Sequence, residues 1–171
     1  DVLFSLPLIR NIKFYFPTAK VYYLCNKRTY PLLNVQPLID GCIVFEKDEW
    51  RQKFRQSRLK TIREFKKFLK EIKDLGIEIV FDLSLAQEFG FFCWLIGIKN
   101  RLGFDYKRRG IFLTDKIKIS GYNDKHMVEY YNSLLGLLGL RPRFKEYKIQ
   151  LPEGKLRWAE EKLSDLRARH G

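Results

Sequence analysis

Two groups of residues in this 171-residue chain could do chemistry. The first is a single carboxylate, Asp1, standing before VLFSLPLIRNIKFYFP. The apolar positions Val2, Leu3, Leu6, Ile9, Ile12 and Phe16 recur every three or four residues, the period of a helix with one buried face. A carboxylate at that place can cap the unpartnered N–H groups of the helix, contributing roughly 0.5–2 kcal/mol. It can equally act as a general base at a cleft, where position counts before pKa. The positive helix end lowers the basicity of such a group, so the residues alone leave both readings open. The second group is basic: Arg101, Arg108 and Arg109, with Lys99 and Lys107 beside them. A guanidinium offers a planar fork of donors that matches phosphate or carboxylate oxygens. A solvated basic loop is the plainer alternative.

The other reactive side chains are isolated. His126 opens an apolar helix with no second ligand or base nearby in sequence, which favours a structural role; His170 lies in the terminal tail. Cys25, Cys42 and Cys93 sit in apolar runs without a C-x-x-C pair, as buried free thiols do, and this fits a reducing compartment. No H-E-x-x-H, G-x-S-x-G, P-loop or dinucleotide fingerprint is present.

These residues need a scaffold that brings them together. Pro7 is placed early in the first helix, close to the turn whose N–H groups lack partners. Lys20 to Cys25 reads as a strand, Lys27 to Leu33 as a short helix and Gly41 to Glu46 as a buried strand. Lys47 to Ser57 reads as a polar, basic loop. Arg58 to Leu75 is the clearest helix, with Leu59, Ile62, Phe65, Leu69, Ile72 and Leu75 in one inward stripe and Gly76 ending it. From Arg51 to Lys73 its outer face and flank carry ten Lys/Arg against Glu64 and Glu71. Ile77 to Leu83 is a strand, Leu85 to Ile96 a deeply packed apolar helix, and Lys99 to Phe104 another strand. Ile111 to Ile119 is extended, Asp124 to Leu138 a helix closed by Gly139, and Tyr147 to Leu151 extended. Pro152 to Arg169 is an amphipathic helix with Leu156, Ala159, Leu163 and Leu166 inward.

Strands alternating with helices predict an α/β fold: a Rossmann-like, mostly parallel sheet with helices on both faces. Such sheets place working residues at the carboxyl ends of their strands. Asp1 joins that edge if a strand precedes it. The sequence is therefore expected to be part of a longer protein, with its first strand missing and that strand central to the sheet. A groove should then separate the strand's two neighbours.

Hydrophobic residues are 46% of the chain and aromatics 15%, which excludes a disordered chain. The longest apolar run, Phe89 to Ile98, is too short to span a membrane. The net charge of +13 favours anionic partners: nucleic acid, anionic lipid or phosphorylated sugar.

The opening DVLFSLPLIRNIKFYFPTAKVYYL resembles glycosyltransferase family 9, the lipopolysaccharide heptosyltransferases and their relatives. Asp1, Val2, Leu3, Pro7, Pro17, Ala19 and Val21 stand where that family has its Gly-Asp pair, helix and Pro-x-Ala-x-Val turn. The Gly and the strand before it are absent. Phe81 to Ser84 (FDLS), Arg101 to Gly110 (RLGFDYKRRG), and His126, Val128 and Tyr131 follow in family order, to about Leu140.

The resemblance implies that residues 1–171 are the N-terminal, acceptor-side domain of a two-domain GT-B enzyme, truncated at both ends and lacking its donor-binding domain. It implies inverting transfer of a sugar, a heptose from ADP-heptose, to an anionic, lipid-linked inner-core saccharide of lipopolysaccharide. Asp1 would be the catalytic base, with Arg101, Arg108 and Arg109 binding the acceptor. The donor nucleotide-sugar is a substrate, and the resemblance implies neither an essential metal nor another cofactor. The place of work would be the cytoplasmic face of the inner membrane, with peripheral contact to anionic lipid. The domain alone should not turn over. The alternative is a basic α/β nucleic-acid-binding module without catalysis, which lacks any nucleic-acid motif.

Overall fold

The computed structural model describes residues 2–151 and 153–170. Its strands form two parallel sheets. In one, β1 (Tyr22–Cys25) pairs with β2 (Gly41–Val44), Tyr22 opposite Gly41 and Cys25 opposite Val44. In the other the order is β3 (Ile79–Asp82), β4 (Asn100–Tyr106), β5 (Asp115–Ile119). Asp82 there lies opposite Gly103, and Leu102 opposite Asp115.

Parallel neighbours need a returning crossover, ordinarily about a dozen residues or more. The crossover from β1 to β2 carries α2 (Tyr30–Leu33). A helix pair, α3 (Lys47–Gln56) and α4 (Arg58–Asp74), leads from β2 towards β3. α5 (Glu88–Leu95) joins β3 to β4. The return from β4 to β5 uses only residues 107–114, without a helix. α6 (Met127–Ser133) follows β5 and runs into a 3₁₀ turn over Leu134–Leu138. Gly139 closes it in the left-handed region at φ 72°, which glycine adopts without a Cβ clash.

The helix α1 (Val2–Tyr15) holds the two sheets together. Leu6 and Ile9 pack with Cys25 and Leu33 on the side of β1 and β2. Leu8 packs with Phe104, Tyr130, Tyr131, Leu134 and Leu135 on the side of β4 and α6. Burial on two sides explains why the central turns of α1 are apolar nearly all round. Pro7 lies inside the helix rather than in its first turn. Lacking an N–H, it cannot bond the Leu3 carbonyl. Nearby, the Ser5 hydroxyl donates to the Val2 carbonyl at 2.6 Å and the Asn11 amide to the Pro7 carbonyl at 2.9 Å.

Between the sheets runs a groove of about 960 Å³. Ser5 and Ile9 of α1, Tyr22 and Leu24 of β1, and Val80 and Asp82 of β3 are among its walls. No described strand pairs with the groove-side edge of β1 or of β3. This is the expected position of a central strand. Facing strand edges with free N–H and C=O groups are templates for pairing. The 171-residue chain produced by itself is therefore expected to self-associate. Size-exclusion chromatography with a thermal melt checks this; a monomer that melts cooperatively would contradict it.

Several expectations are corrected. Lys47 to Ser57 is not a loop: Lys47–Gln56 is helical, with Asp48 and Glu49 in its first turn and Lys53 and Arg55 in its last, the charge order that complements the helix dipole. In α4 only part of the expected stripe is covered: Leu69 is buried, while Leu59, Ile62 and Leu75 are exposed. α5 buries only Gly90 fully, and Trp94 and Leu95 stay exposed. In α7 (Glu153–His170) the side chains of Leu156, Leu163 and Leu166 are exposed rather than inward. Pro152, placed in that helix from sequence, lies outside the described residues. Tyr147 to Leu151, expected to be extended, forms no strand. The amide of Gln36 holds it instead, donating to the Gln150 carbonyl at 2.9 Å and accepting from the Gln150 N–H at 3.1 Å.

Candidate functional site at the carboxyl ends of the strands

The connections that leave the strands meet at one edge. Lys47, after β2, reaches Glu88 at the start of α5 with an Nζ–Oε1 distance of 2.9 Å. That lysine, and more weakly Arg109, holds the Glu88 carboxyl below its usual range. The first turns of α1 lie at the same edge. The Ser5 hydroxyl is 2.9 Å from the Tyr23 hydroxyl, and the Phe4 ring meets the His126 ring edge-on at 5.0 Å. Asp1 itself lies outside the described residues.

The basic turn after β4 is the most constrained part of this edge. Lys107 and Arg108 have φ of 50° and 61°, in the left-handed region that side chains with a Cβ avoid. Each such residue costs roughly 1–2 kcal/mol. The short return from β4 to β5 gives the reason, because the chain must reverse as soon as the strand ends. The Arg109 N–H donates to the Tyr106 carbonyl at 3.0 Å and closes the turn. Asp105 anchors it: one carboxylate oxygen accepts from the Gly110 N–H at 3.0 Å and the other lies 3.6 Å from the Lys116 ammonium. Lys107 and Arg109 lie over the Tyr106 ring at 5.0 and 5.8 Å. Lys107, Arg108 and Arg109 are all exposed. The turn thus presents three cations on a backbone that is held in place, an arrangement suited to an anionic ligand.

Arg101 is placed differently. It lies toward the start of β4, away from the turn. Its Nε donates to the Phe112 carbonyl at 2.6 Å, and its Nη1 to the carbonyls of Ile98 and, at 3.2 Å, Lys99. The structure therefore groups Arg108 with Arg109, and sets Arg101 as a brace on the return segment that carries them.

Asp82 ends β3 at the mouth of the groove and is 8% exposed. One oxygen accepts from the Ser84 N–H at 2.9 Å and from the Ser84 hydroxyl at 2.7 Å. Burial pushes its pKa up, and the two Ser84 bonds oppose that shift. His126 caps α6, its Nδ1 accepting from the Val128 N–H at 3.3 Å, a structural role that matches the sequence reading. The three cysteines are free thiols; burial pushes those of Cys42 and Cys93 up to about 11, far from the reactive range.

Asp105 and Tyr106, which brace the turn, were not singled out from sequence. The only signal for Asp105 is a carboxylate at a strand end five residues before a glycine. A Cβ on that Gly110 would meet Asp105 and Lys116 at 3.1 Å. The left-handed pair carried no signal, since neither residue is Gly or Asn. Among the described residues no three His, Cys, Asp or Glu side chains converge as a metal site. None of the described helices is long and apolar enough to cross a membrane.

No family model matches the sequence, and no curated protein matches it. Solved structures do. The chain superposes on the Escherichia coli ADP-heptose lipopolysaccharide heptosyltransferase II with a TM-score of 0.69 at 20% identity, over 96% of this chain and 47% of that one. With the E. coli heptosyltransferase WaaC, determined with ADP-2-deoxy-2-fluoro heptose, the TM-score is 0.69 at 17% identity, over 84% of this chain and 46% of that one. With a family 9 glycosyl transferase from Veillonella parvula it is 0.67 at 18% identity, over 96% and 45%. The chain spans about half the length of each. Its fold is that of about half of a GT-B glycosyltransferase of the heptosyltransferase kind.

Proposed function

We propose that this chain is the acceptor-side half of an inverting glycosyltransferase. It would move a sugar, a heptose from an ADP-activated donor, to an anionic, lipid-linked inner-core saccharide at the cytoplasmic face of the inner membrane. The observation that carries this reading is the fold likeness to heptosyltransferases over nearly the whole chain. The braced cationic turn at the strand-end edge supports it, since ligands of open α/β sheets bind outside the carboxyl ends of the strands.

In this reading the acceptor hydroxyl oxygen attacks the anomeric carbon of the donor as the bond from that carbon to the diphosphate breaks. The configuration inverts, the hydroxyl proton passes to a carboxylate, and the nucleoside diphosphate leaves. Asp1 is that base by resemblance to the family. Arg108 and Arg109 would face the anionic groups of the acceptor. Arg101 would act through the segment it braces. The half of the enzyme that would hold the donor is not in this sequence, so the chain alone is expected to be inactive.

The test uses the longer protein that carries this chain, with ADP-heptose and heptose-free inner-core acceptor. Transfer of heptose with release of ADP is the expected result. Failure with this and other nucleotide-sugars, together with salt-dependent binding to generic DNA or RNA, would replace the proposal with a nucleic-acid-binding module.

A further inference from the structure

α3 and α4 form a helical hairpin that turns at Ser57. The far end of the hairpin is covered by aromatic packing. Trp50 of α3 meets Phe65 of α4 edge-on at 5.1 Å, and Phe65 meets Phe92 of α5 at 5.0 Å. The turn end has no such cover. Leu59 is 84% exposed, Phe54 46% and Ile62 43%. Leu59 and Ile62, three residues apart on α4, share one face of it.

Cations surround this apolar tip: Arg55, Arg58, Lys60 and Arg63. Among the described residues none of the four has a carboxylate within salt-bridge distance. Their neighbours do. Lys53 lies 2.8 Å from Glu64, and Lys47 is paired with Glu88. Glu64, the acidic residue nearest the tip, bonds Lys53 and feels the Lys60 charge only through space, so among the described residues the four cations at the turn form no ion pair of their own.

A partner for this tip must supply negative charge and an apolar phase side by side. Nucleic acid offers phosphates to the arginines but no apolar phase for Leu59. An anionic bilayer offers both, headgroups above and acyl chains beneath, and long basic side chains can reach the headgroups while their stems lie along apolar surface. We infer that the Ser57 turn of the α3–α4 hairpin docks on an anionic lipid surface, with Phe54, Leu59 and Ile62 entering the acyl boundary and Arg55, Arg58, Lys60 and Arg63 among the headgroups. This deepens the proposed function, which calls for a lipid-linked acceptor, but it rests on the hairpin alone. Vesicle binding needs neither donor nor acceptor, so its failure and the failure of sugar transfer are separate results.

The experiment is sedimentation of the longer protein that carries this chain with vesicles of phosphatidylcholine alone, or of phosphatidylcholine mixed with phosphatidylglycerol, at low and at high salt, with a lipid-free control. Binding is expected to the mixed vesicles only and to weaken with salt. Leu59→Asp should lower the partition coefficient at least about tenfold, since several apolar carbons lose the acyl boundary. Arg58→Ser and Lys60→Ser should each lower it about fivefold and flatten the salt dependence. At 84% exposure Leu59 contributes little to the core, and far-UV circular dichroism of each variant verifies the fold. Any of four results would overturn the inference: no binding, equal binding to neutral vesicles, wild-type binding by Leu59→Asp, or displacement from the vesicles by duplex DNA that binds Leu59→Asp and wild type alike.

Discussion

Gly103→Ala should destabilise the three-stranded sheet by about 3 kcal/mol or more, at the upper end of what overpacking costs. Gly103 sits in the middle strand β4, opposite Asp82 of β3 and Lys116 of β5. A Cβ there would lie 2.7 Å from the Asp82 carbonyl oxygen, 3.2 Å from the Asp82 Cβ and 3.0 Å from a Leu113 methyl. The nearest of these atoms is backbone, so no rotamer change relieves it. β3 must shift away from β4, and Asp82 moves with it from its place beside Ser84. Domains of this size are stable by only about 5–15 kcal/mol, so the loss is a large part of the whole. Gly136→Ala is the matched control, because a Cβ at Gly136 meets nothing within 4 Å; it should be neutral or slightly stabilising. Urea titrations followed by circular dichroism measure both. Equal midpoints for the two variants would show that β3 yields more easily than this packing implies.

The sheet was legible because its strands are short, mostly apolar runs, such as Gly41–Val44 and Ile79–Asp82, as expected of a parallel sheet between helices. Helices were less so wherever tertiary context decides. α3 has no apolar stripe to announce it, and its pairing with α4 became visible only when Trp50 was seen to meet Phe65. Leu59 and Ile62 fit a helical period, but period cannot tell which turns of a helix find cover. The buried amides were also hidden. Asn11 reads as an ordinary polar residue in α1, yet it is fully buried. Its amide nitrogen donates to the Phe144 carbonyl at 2.8 Å, and its oxygen accepts from the N–H groups of Arg143 and Phe144 at 2.7 and 3.0 Å. Those partners are more than a hundred residues away in sequence. At the strand-end edge, sequence picked out the arginines but treated them alike. Only the folded structure separates Arg101, bonded to three carbonyls, from Arg108 and Arg109 on the exposed turn.

On the proposed assignment of Asp1 as the base, Asp1→Asn should lower kcat roughly 10²–10⁴-fold in the longer protein, the usual span for loss of a general base. Asn keeps the size of Asp and much of its capacity to cap a helix, but it cannot take the acceptor proton. If Asp1 is only a cap, kcat should stay close to the wild-type value. The comparison is with Arg109→Ala, on the turn after β4. An arginine that binds the acceptor equally in ground and transition states acts through KM, so Arg109→Ala should raise the acceptor KM and leave kcat near its wild-type value. Arg101→Ala should differ from both. Its bonds go to the carbonyls of Ile98, Lys99 and Phe112, so its loss should lower the melting temperature as well as raise the acceptor KM. The measurement is steady-state transfer with acceptor varied at saturating donor, and a thermal melt of each variant. A large fall in kcat for Asp1→Asn with an unchanged melt assigns the proton transfer to that carboxylate. Near-normal kcat with the same melt leaves Asp1 a helix cap, and the base must then be sought among other groups of the strand-end edge, where Asp82 already has a carboxyl whose pKa burial has raised.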